Sequence, residues 1–137
     1  MVIRRKTPNE MKPLLLAIDD QLSMRSFLEY YLSETYQVVT QPDGLSALAW
    51  IEAGHQPDVI VADLDMPGMK GTKLLDILRA SEATAAVPYL VLSGMDESSA
   101  RVEALEKGAD DYVVKPFHPR ELQLRIRNLL HRKSIAA

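Results

Sequence analysis

The amino-acid sequence predicts an α/β fold: an open, doubly wound sheet of five parallel strands with helices on both of its faces. Five short apolar runs alternate along the chain with five segments of helical periodicity. The apolar runs lack a regular apolar–polar alternation, which is typical of strands that are buried on both faces. Because a helical segment separates each strand from the next, we expect parallel pairing with right-handed crossovers.

The first half of the chain opens with the predicted strand Leu14–Ile18. β-branched and aromatic residues predict a second strand at Tyr36–Thr40. Asp43 is predicted to cap the next helix, Leu45–Ala53, which ends at Gly54. The helix between the two strands is indicated by apolar residues at helical spacing, namely Met24, Phe27, Leu28, Tyr31 and Leu32.

The second half repeats the same alternation. The third strand is predicted at Asp58–Asp63, the fourth at Tyr89–Ser93 and the fifth at Asp111–Val114. The last two helices are predicted at residues 96–107 and 119–133. The helix between the third and fourth strands is indicated by Leu74, Leu75, Ile77 and Leu78. These elements together predict the flavodoxin-like strand order 2-1-3-4-5.

Composition excludes several classes of protein. The 137 residues correspond to one domain, and 47% hydrophobic and 26% charged residues are ordinary for a globular protein. The chain has no cysteine, which excludes disulfides, thiolate zinc sites and cysteine nucleophiles. Residues 13–114 hold six basic and seventeen acidic side chains, which argues against nucleic-acid binding by the main body. No apolar run has the length of a signal peptide or a membrane span, so we expect a cytoplasmic protein.

Polar side chains stand where the predicted strands end. Asp19 and Asp20 follow the first strand, Asp63 ends the third, Ser93 ends the fourth and Lys115 follows the fifth. In open α/β sheets, binding sites form at the carboxyl ends of the strands. Taken singly, such an aspartate is usually a helix cap, and such a serine or lysine a turn or surface residue. Their occurrence together at four strand ends favours a functional site.

Three neighbouring carboxylates repel one another, and a hard divalent cation removes that repulsion. The sequence therefore predicts a magnesium site at this edge of the sheet. A lysine provides a compact positive charge suited to phosphate, and a serine provides a hydroxyl donor. Such a constellation can support phosphoryl transfer to a carboxylate, with Asp63 as the nucleophile that becomes an aspartyl phosphate.

The sequence resembles the receiver domain of bacterial two-component response regulators, whose fold is that of the chemotaxis regulator. The resemblance extends from about Leu14 to Lys133. It implies a receiver domain at residues 13–133, with an N-terminal tail at 1–12 and a C-terminal tail at 134–137. The motifs that show it are LLLAIDDQLSMR, DVIVADLDMPGMKG, VPYLVLSG and GADDYVVKPF.

The resemblance implies a role for each acidic residue of the site. Asp63 matches the phosphoacceptor and a ligand of the metal, which is Mg²⁺ or Mn²⁺. Asp20 matches the direct metal ligand, and Asp19 matches its partner, often bound through water. Asp65 matches the position whose backbone carbonyl binds the metal.

The same resemblance implies a role for four further residues. Ser93 matches the hydroxyl residue that contacts the phosphoryl group, although threonine is commoner there. Lys115 matches the invariant lysine, and its bond to Pro116 is expected to be cis. Tyr112 matches the aromatic switch residue, which moves inward together with Ser93. The chain departs from the usual pattern at positions that tune phosphoryl lifetime or vary near the site, namely Asp65, Met95 and Lys70.

The implied function is a phosphorylation switch rather than an enzyme: a phosphoacceptor that assists its own phosphorylation and dephosphorylation. The donor would be a sensor histidine kinase or a histidine phosphotransfer domain. The output would pass through the surface around residues 94–117 to a downstream protein, or to an output domain outside this chain. The charged face of the last helix is also suited to a phosphorylation-linked homodimer, through Arg120, Arg125 and Arg127.

Two alternatives stay open from the sequence. One is a receiver-like interaction module that takes no phosphate. The other is a haloacid dehalogenase-like phosphatase, since Asp63-Leu64-Asp65 has the spacing of that family's two acidic residues. A flavodoxin is disfavoured because Asp19 and Asp20 would repel the phosphate of the flavin nucleotide.

Overall fold

The computed structural model describes residues 5, 7, 8, 10–94 and 98–136, with side chains described as far as residue 133. Strands and helices alternate along it, as the sequence predicts. The elements are β1 (Leu14–Ile18), α1 (Leu22–Leu32), β2 (Gln37–Gln41), α2 (Gly44–Glu52), β3 (Val59–Asp63), α3 (Gly71–Ala80), β4 (Tyr89–Ser93), α4 (Ser98–Glu106), β5 (Asp111–Val114) and α5 (Pro119–Ala136).

The five strands form one sheet in the order β2-β1-β3-β4-β5, and every pair of neighbours is parallel. This confirms the predicted flavodoxin-like topology. The chain order reverses at β1, which lies between β2 and β3. Ligand sites of such sheets form at the carboxyl ends of the strands beside this switch point. The edge formed by the ends of β1 and β3 is therefore the expected position of a ligand site.

The core consists of one apolar layer on each face of the sheet. Leu16 and Ile18 of β1 face the layer that contains α2, α3 and α4. Leu15 and Ala17 face the other layer, which contains α1 and α5. All four side chains are almost fully buried, which explains why the strand shows no apolar–polar alternation. Because both faces are covered, the backbone of the sheet forms a rigid base for the side chains at its edge.

Some element ends differ from the prediction by one or a few residues. β2 begins at Gln37 rather than Tyr36, because the Tyr36 amide donates to the Leu32 carbonyl in the turn after α1. Asp58 precedes β3, and its side chain accepts a hydrogen bond of 2.7 Å from the Leu14 amide. The final helix continues to Ala136, three residues past its predicted end. The predicted start of the fourth helix, residue 96, lies outside the described residues, as does Met95.

The predicted cap of α2 is confirmed. The Asp43 carboxylate accepts a hydrogen bond of 2.7 Å from the Ser46 amide, which otherwise has no partner within the helix. Gly54 follows this helix with a φ of +112°, a backbone conformation that side chains other than glycine rarely adopt. The cap and the glycine thus define both ends of α2. No helix in the described part of the chain is long and apolar enough to cross a membrane.

Candidate functional site

The carboxyl edge of the sheet brings together the side chains that the sequence predicts there. Asp19 follows β1 directly, Asp63 is the last residue of β3, and Lys115 follows β5. The Lys115 ammonium lies 2.9 Å from Asp19 Oδ2 and 3.6 Å from Asp63 Oδ2. The charged side chain of Lys115 therefore connects the ends of β1, β3 and β5, which lie far apart in the sequence.

Three carboxylates form an acidic cluster at this edge. Asp19, Asp20 and Asp63 each place an oxygen within 4.8 Å of the others. Asp19 and Asp63 are buried, whereas Asp20 is exposed. At such separations each pair of full charges repels by about 3 kcal/mol for an effective dielectric of about 20. Lys115 offsets part of this repulsion, and the oxygen-rich donor set fits a hard divalent cation.

Local hydrogen bonds fix the segment that follows β1. The Gln21 amide donates to Asp19 Oδ1 at 2.9 Å, so the carboxylate has a backbone partner on one oxygen and Lys115 on the other. Arg25 of α1 donates to the backbone carbonyl of Asp19 at 2.8 Å. Asp19 is thus held through both its side chain and its backbone. These contacts also fix the backbone position of the adjacent Asp20.

Asp63 lies in an environment that disfavours its charge. Burial raises the pKa of the Asp63 carboxyl above its ordinary value, and the neighbouring charge of Asp19 raises it further. Lys115 and a hydrogen bond of 3.3 Å from the Asp65 amide to Asp63 Oδ1 act in the opposite direction. Lys115 and the hydrogen bond therefore do not fully compensate the charge of the ionised Asp63 carboxylate, and an added cation would stabilise it. The Asp65 side chain itself is exposed.

The end of β4 lies against the end of β5. Ser93 is 1% exposed, and its backbone carbonyl accepts a hydrogen bond of 2.7 Å from the Lys115 amide. The bond between Lys115 and Pro116 is cis. Among the described residues, apart from its chain neighbours, a Cβ added at Gly94 would meet no atom within 4 Å. The structure therefore connects Ser93 and Lys115 through the backbone at this edge.

Tyr112 of β5 lies further from the carboxyl edge of the sheet than Ser93 does. It pairs with Val91 in the register between β4 and β5, two residues before Ser93. Its side chain is largely buried, and the Arg101 guanidinium of α4 lies 5.4 Å from the centre of its ring. Such a distance is typical of a cation–π contact. Tyr112 is thus in contact with α4 on the flank of the site.

The sequence pattern does not predict the aromatic cluster that lies beside the site. The helical spacing placed Phe27 and Tyr31 on the apolar face of α1, but only Leu28 and Leu32 of that face are fully buried. Phe27 and Tyr31 are each 37% exposed, and their ring centres are 5.5 Å apart. Phe117, which follows the cis proline, lies 6.0 Å from Phe27. The signal in the sequence was an apolar stripe wider than one buried face requires.

Fold and site together define a receiver-type signalling domain: a parallel 2-1-3-4-5 sheet whose carboxyl edge joins three aspartates and a lysine. The chain belongs to the family described as the response regulator receiver domain, which it matches over residues 15–127. Receiver domains of this family are regulatory switches of two-component systems.

Several curated relatives are transcriptional regulators, and others are histidine kinases. The probable transcriptional regulator ycf27 of Cyanophora paradoxa is 42% identical over 122 residues, which are 88% of this chain and 49% of that protein. The alkaline phosphatase synthesis transcriptional regulatory protein PhoP of Bacillus subtilis is 39% identical over 128 residues, 93% of this chain and 52% of PhoP. The chain thus spans about half the length of these relatives.

Solved structures agree with the fold. The chemotaxis response regulator CheY4 of Vibrio cholerae superposes with a TM-score of 0.81 at 30% identity, over 87% of this chain and 99% of that chain. The receiver domain of the Francisella response regulator 1452 has a TM-score of 0.81 at 34% identity, over 88% of this chain and 98% of that chain. Both resemblances cover almost the whole of the compared domains.

Proposed function

We propose that this domain is a magnesium-dependent phosphoacceptor switch in which Asp63 receives a phosphoryl group from a phosphohistidine. The donor is a sensor histidine kinase or a histidine phosphotransfer domain, and the receiver acts in the cytoplasm. The observation that supports this most directly is the contact of Lys115 with both Asp19 and Asp63, inside a cluster of three carboxylates.

The residues present fit a magnesium ion, with manganese as an alternative. The carboxylates of Asp19, Asp20 and Asp63 and the backbone carbonyl of Asp65 would hold it. All of these donors are oxygens, which Mg²⁺ prefers, and Asp19 and Asp20 are adjacent in the chain. When bound, the ion supplies positive charge that offsets the repulsion between the carboxylates and the incoming phosphoryl group.

In the transfer step, an oxygen of the ionised Asp63 carboxylate forms a bond to phosphorus. The bond between phosphorus and the donor imidazole nitrogen breaks, and that nitrogen keeps the electron pair. Lys115 neutralises charge on the transferring oxygens, and the Ser93 hydroxyl donates a hydrogen bond to them. In dephosphorylation, a water oxygen forms a bond to phosphorus and the bond between phosphorus and the Asp63 oxygen breaks. Inorganic phosphate leaves, and Asp63 returns to its carboxylate. The domain thereby assists its own phosphorylation and dephosphorylation without acting on a separate substrate.

The switch follows from the added charge, which is about −1.5 to −2 by analogy with other phospho-residues. The Ser93 hydroxyl turns toward the phosphoryl group, and Tyr112 moves into the space that this leaves. The hydrogen bond between the Lys115 amide and the Ser93 carbonyl supports coupled movement of these two strand ends. The surface around residues 94–117 then changes, and it is the output face.

The output reaches a downstream protein, an output domain or a second copy of this chain. α5 provides charged residues for such a contact, including Arg120, Arg125 and Arg127. In the structure Arg125 pairs with Asp111 at 3.1 Å and with Glu121 at 3.3 Å within the same chain. A homodimer that uses Arg125 would therefore exchange internal ion pairs for intermolecular ones. Residues 13–133 are the receiver domain of this arrangement.

The partly exposed aromatic cluster gives the donor protein a docking surface. Phe27 and Tyr31 of α1 and Phe117 before α5 lie next to the segment that carries Lys115. Exposed aromatic side chains next to a polar site are typical of protein interfaces, where they supply much of the binding energy. A donor protein bound to this cluster would lie next to the segment that carries Lys115.

Intact-mass spectrometry tests the proposal. The protein is incubated with acetyl phosphate, with and without Mg²⁺, and Asp63→Asn serves as the control. A gain of one phosphoryl group that requires Mg²⁺ and Asp63 is expected. No gain, combined with no binding of beryllofluoride, would favour an interaction module that takes no phosphate. Sustained turnover of p-nitrophenyl phosphate would instead favour the phosphatase alternative.

A further inference from the structure

We infer that Tyr89 is a positioning residue for the phosphoacceptor loop, residues 63–71, and acts through the carbonyl group of Gly71. The inference rests on the proposed function, because it assigns Tyr89 a part in metal binding and phosphorylation at Asp63. Within the described part of the chain, no hydrogen bond or ion pair joins the Tyr89 side chain to the acidic cluster or to Lys115. Its effect would pass through the backbone that leads from Asp63 to α3.

The Tyr89 side chain connects the start of β4 with the start of α3. It is fully buried, and its hydroxyl donates a hydrogen bond of 3.0 Å to the carbonyl oxygen of Gly71. Gly71 is the first residue of α3 and therefore the far end of the loop. A phenylalanine would fill the same apolar layer without a polar atom. The buried hydroxyl needs a hydrogen-bond acceptor, and that acceptor is the Gly71 carbonyl at the end of the loop.

A shift of Gly71 would move Asp63, because the backbones of the two residues are in direct contact. A Cβ added at Gly71 would lie 2.4 Å from the Asp63 carbonyl oxygen and 3.0 Å from Leu64 Cα, which leaves no room for a side chain. The Gly71 amide donates to the Leu64 carbonyl at 2.9 Å. The two ends of the loop are therefore in backbone contact, and a displacement of Gly71 displaces the peptide units that carry Asp63 and Asp65.

The chain offers a matched control for this hydrogen bond. Thr84 is also buried, and its hydroxyl donates to the Leu78 carbonyl at 2.6 Å. That contact holds the opposite end of α3, away from Asp63. Tyr89→Phe and Thr84→Val each remove one buried hydroxyl that binds a carbonyl of the same helix. A purely structural role predicts similar effects for both variants.

The experiment compares the two variants with the wild type. Urea unfolding establishes that each variant is folded. In the metal-free protein, Tyr89→Phe should shift the amide resonances of Leu64, Asp65 and Gly71, whereas Thr84→Val should not. Isothermal titration should show Mg²⁺ affinity reduced about tenfold by Tyr89→Phe, the lower end of what outer-shell changes cause. The rate of phosphorylation by acetyl phosphate at saturating Mg²⁺ should fall about tenfold as well, since misplaced reacting groups lose rate.

Unchanged loop resonances and unchanged Mg²⁺ affinity in Tyr89→Phe would overturn the inference, and so would equal effects of the two variants. Failure of the proposed function has a different signature, because the wild type itself would then bind no Mg²⁺ and take up no phosphoryl group. Even in that case, the resonances of the metal-free protein decide whether Tyr89 positions the loop.

Discussion

The Lys115 ammonium lies closer to Asp19 than to Asp63, at 2.9 Å compared with 3.6 Å. The Asp19 side chain is 2% exposed, so this contact compensates a carboxylate that has almost no access to water. Asp63 shares the same cation and is neutralised less completely, which agrees with the raised pKa of its carboxyl group. Lys115 therefore stabilises the folded domain through Asp19 and remains near enough to act at Asp63.

Replacing Lys115 tests both roles. Lys115→Ala should lower the free energy of unfolding of the metal-free protein by about 1–3 kcal/mol, because buried Asp19 loses its charged partner. It should slow phosphorylation by acetyl phosphate by about 10²-fold while Mg²⁺ still binds. Urea unfolding and intact-mass time courses measure these effects. Lys107→Ala is the control, since Lys107 forms an exposed ion pair with Asp76, and little change is expected there. A wild-type rate in Lys115→Ala would remove the lysine from the mechanism.

Asp63→Asn should make the metal-free fold more stable while it abolishes phosphorylation. Burial raises the pKa of Asp63, so ionisation of this carboxyl costs more in the folded than in the unfolded state. The penalty is fully present above the raised pKa and vanishes below the ordinary value of about 4. At neutral pH the variant should therefore be more stable than the wild type, and at low pH the gain should disappear. Urea unfolding in EDTA across this range decides the matter, and a less stable variant at neutral pH contradicts the assignment.

Asp20→Ala should weaken Mg²⁺ binding by about 10²-fold, because it removes a carboxylate from a three-carboxylate cluster. The metal-free protein should become slightly more stable, because the repulsion of Asp20 with Asp19 and Asp63 is removed; the gain should be small, since solvent screens the charge of the exposed Asp20. Asp65→Ala provides the comparison: it removes an exposed acid but keeps the backbone carbonyl proposed as a ligand, so the loss of affinity should be much smaller. Equal losses in the two variants, measured by isothermal titration, would refute the different roles of these residues.

Asp43 gives the fold a stability contribution that depends on pH. The hydrogen bond from the Ser46 amide lowers the pKa of the Asp43 carboxyl, so its contribution is present above the ordinary aspartate pKa and is lost as the pH falls through the lowered value. Asp43→Ala should cost about 1 kcal/mol at neutral pH and less at low pH. Asp43→Asn should keep most of the cap without the pH dependence. Urea unfolding at both pH values compares the variants, and equal losses for alanine and asparagine would exclude the cap.

The sequence was sufficient for the architecture and for most of the site. Continuous apolar runs identify strands that are buried on both faces, and intervening helices require those strands to be parallel. Parallel strands have their carboxyl ends on one edge of the sheet. The topology alone therefore places four side chains at that edge, independently of the packing of the core: Asp19, Asp63, Ser93 and Lys115. Local chemistry also predicted the Asp43 cap, because a cap depends only on neighbouring residues.

Other features were decided by tertiary packing. Helical spacing could not tell that Phe27 and Tyr31 are left partly exposed while Leu28 and Leu32 are buried, since this depends on how α1 is rotated against the sheet. The choice of Asp19 rather than Asp63 as the closer partner of Lys115 depends on side-chain positions within less than 1 Å. Contacts between residues far apart in sequence are set by the interdigitation of a close-packed interior, which no local pattern encodes.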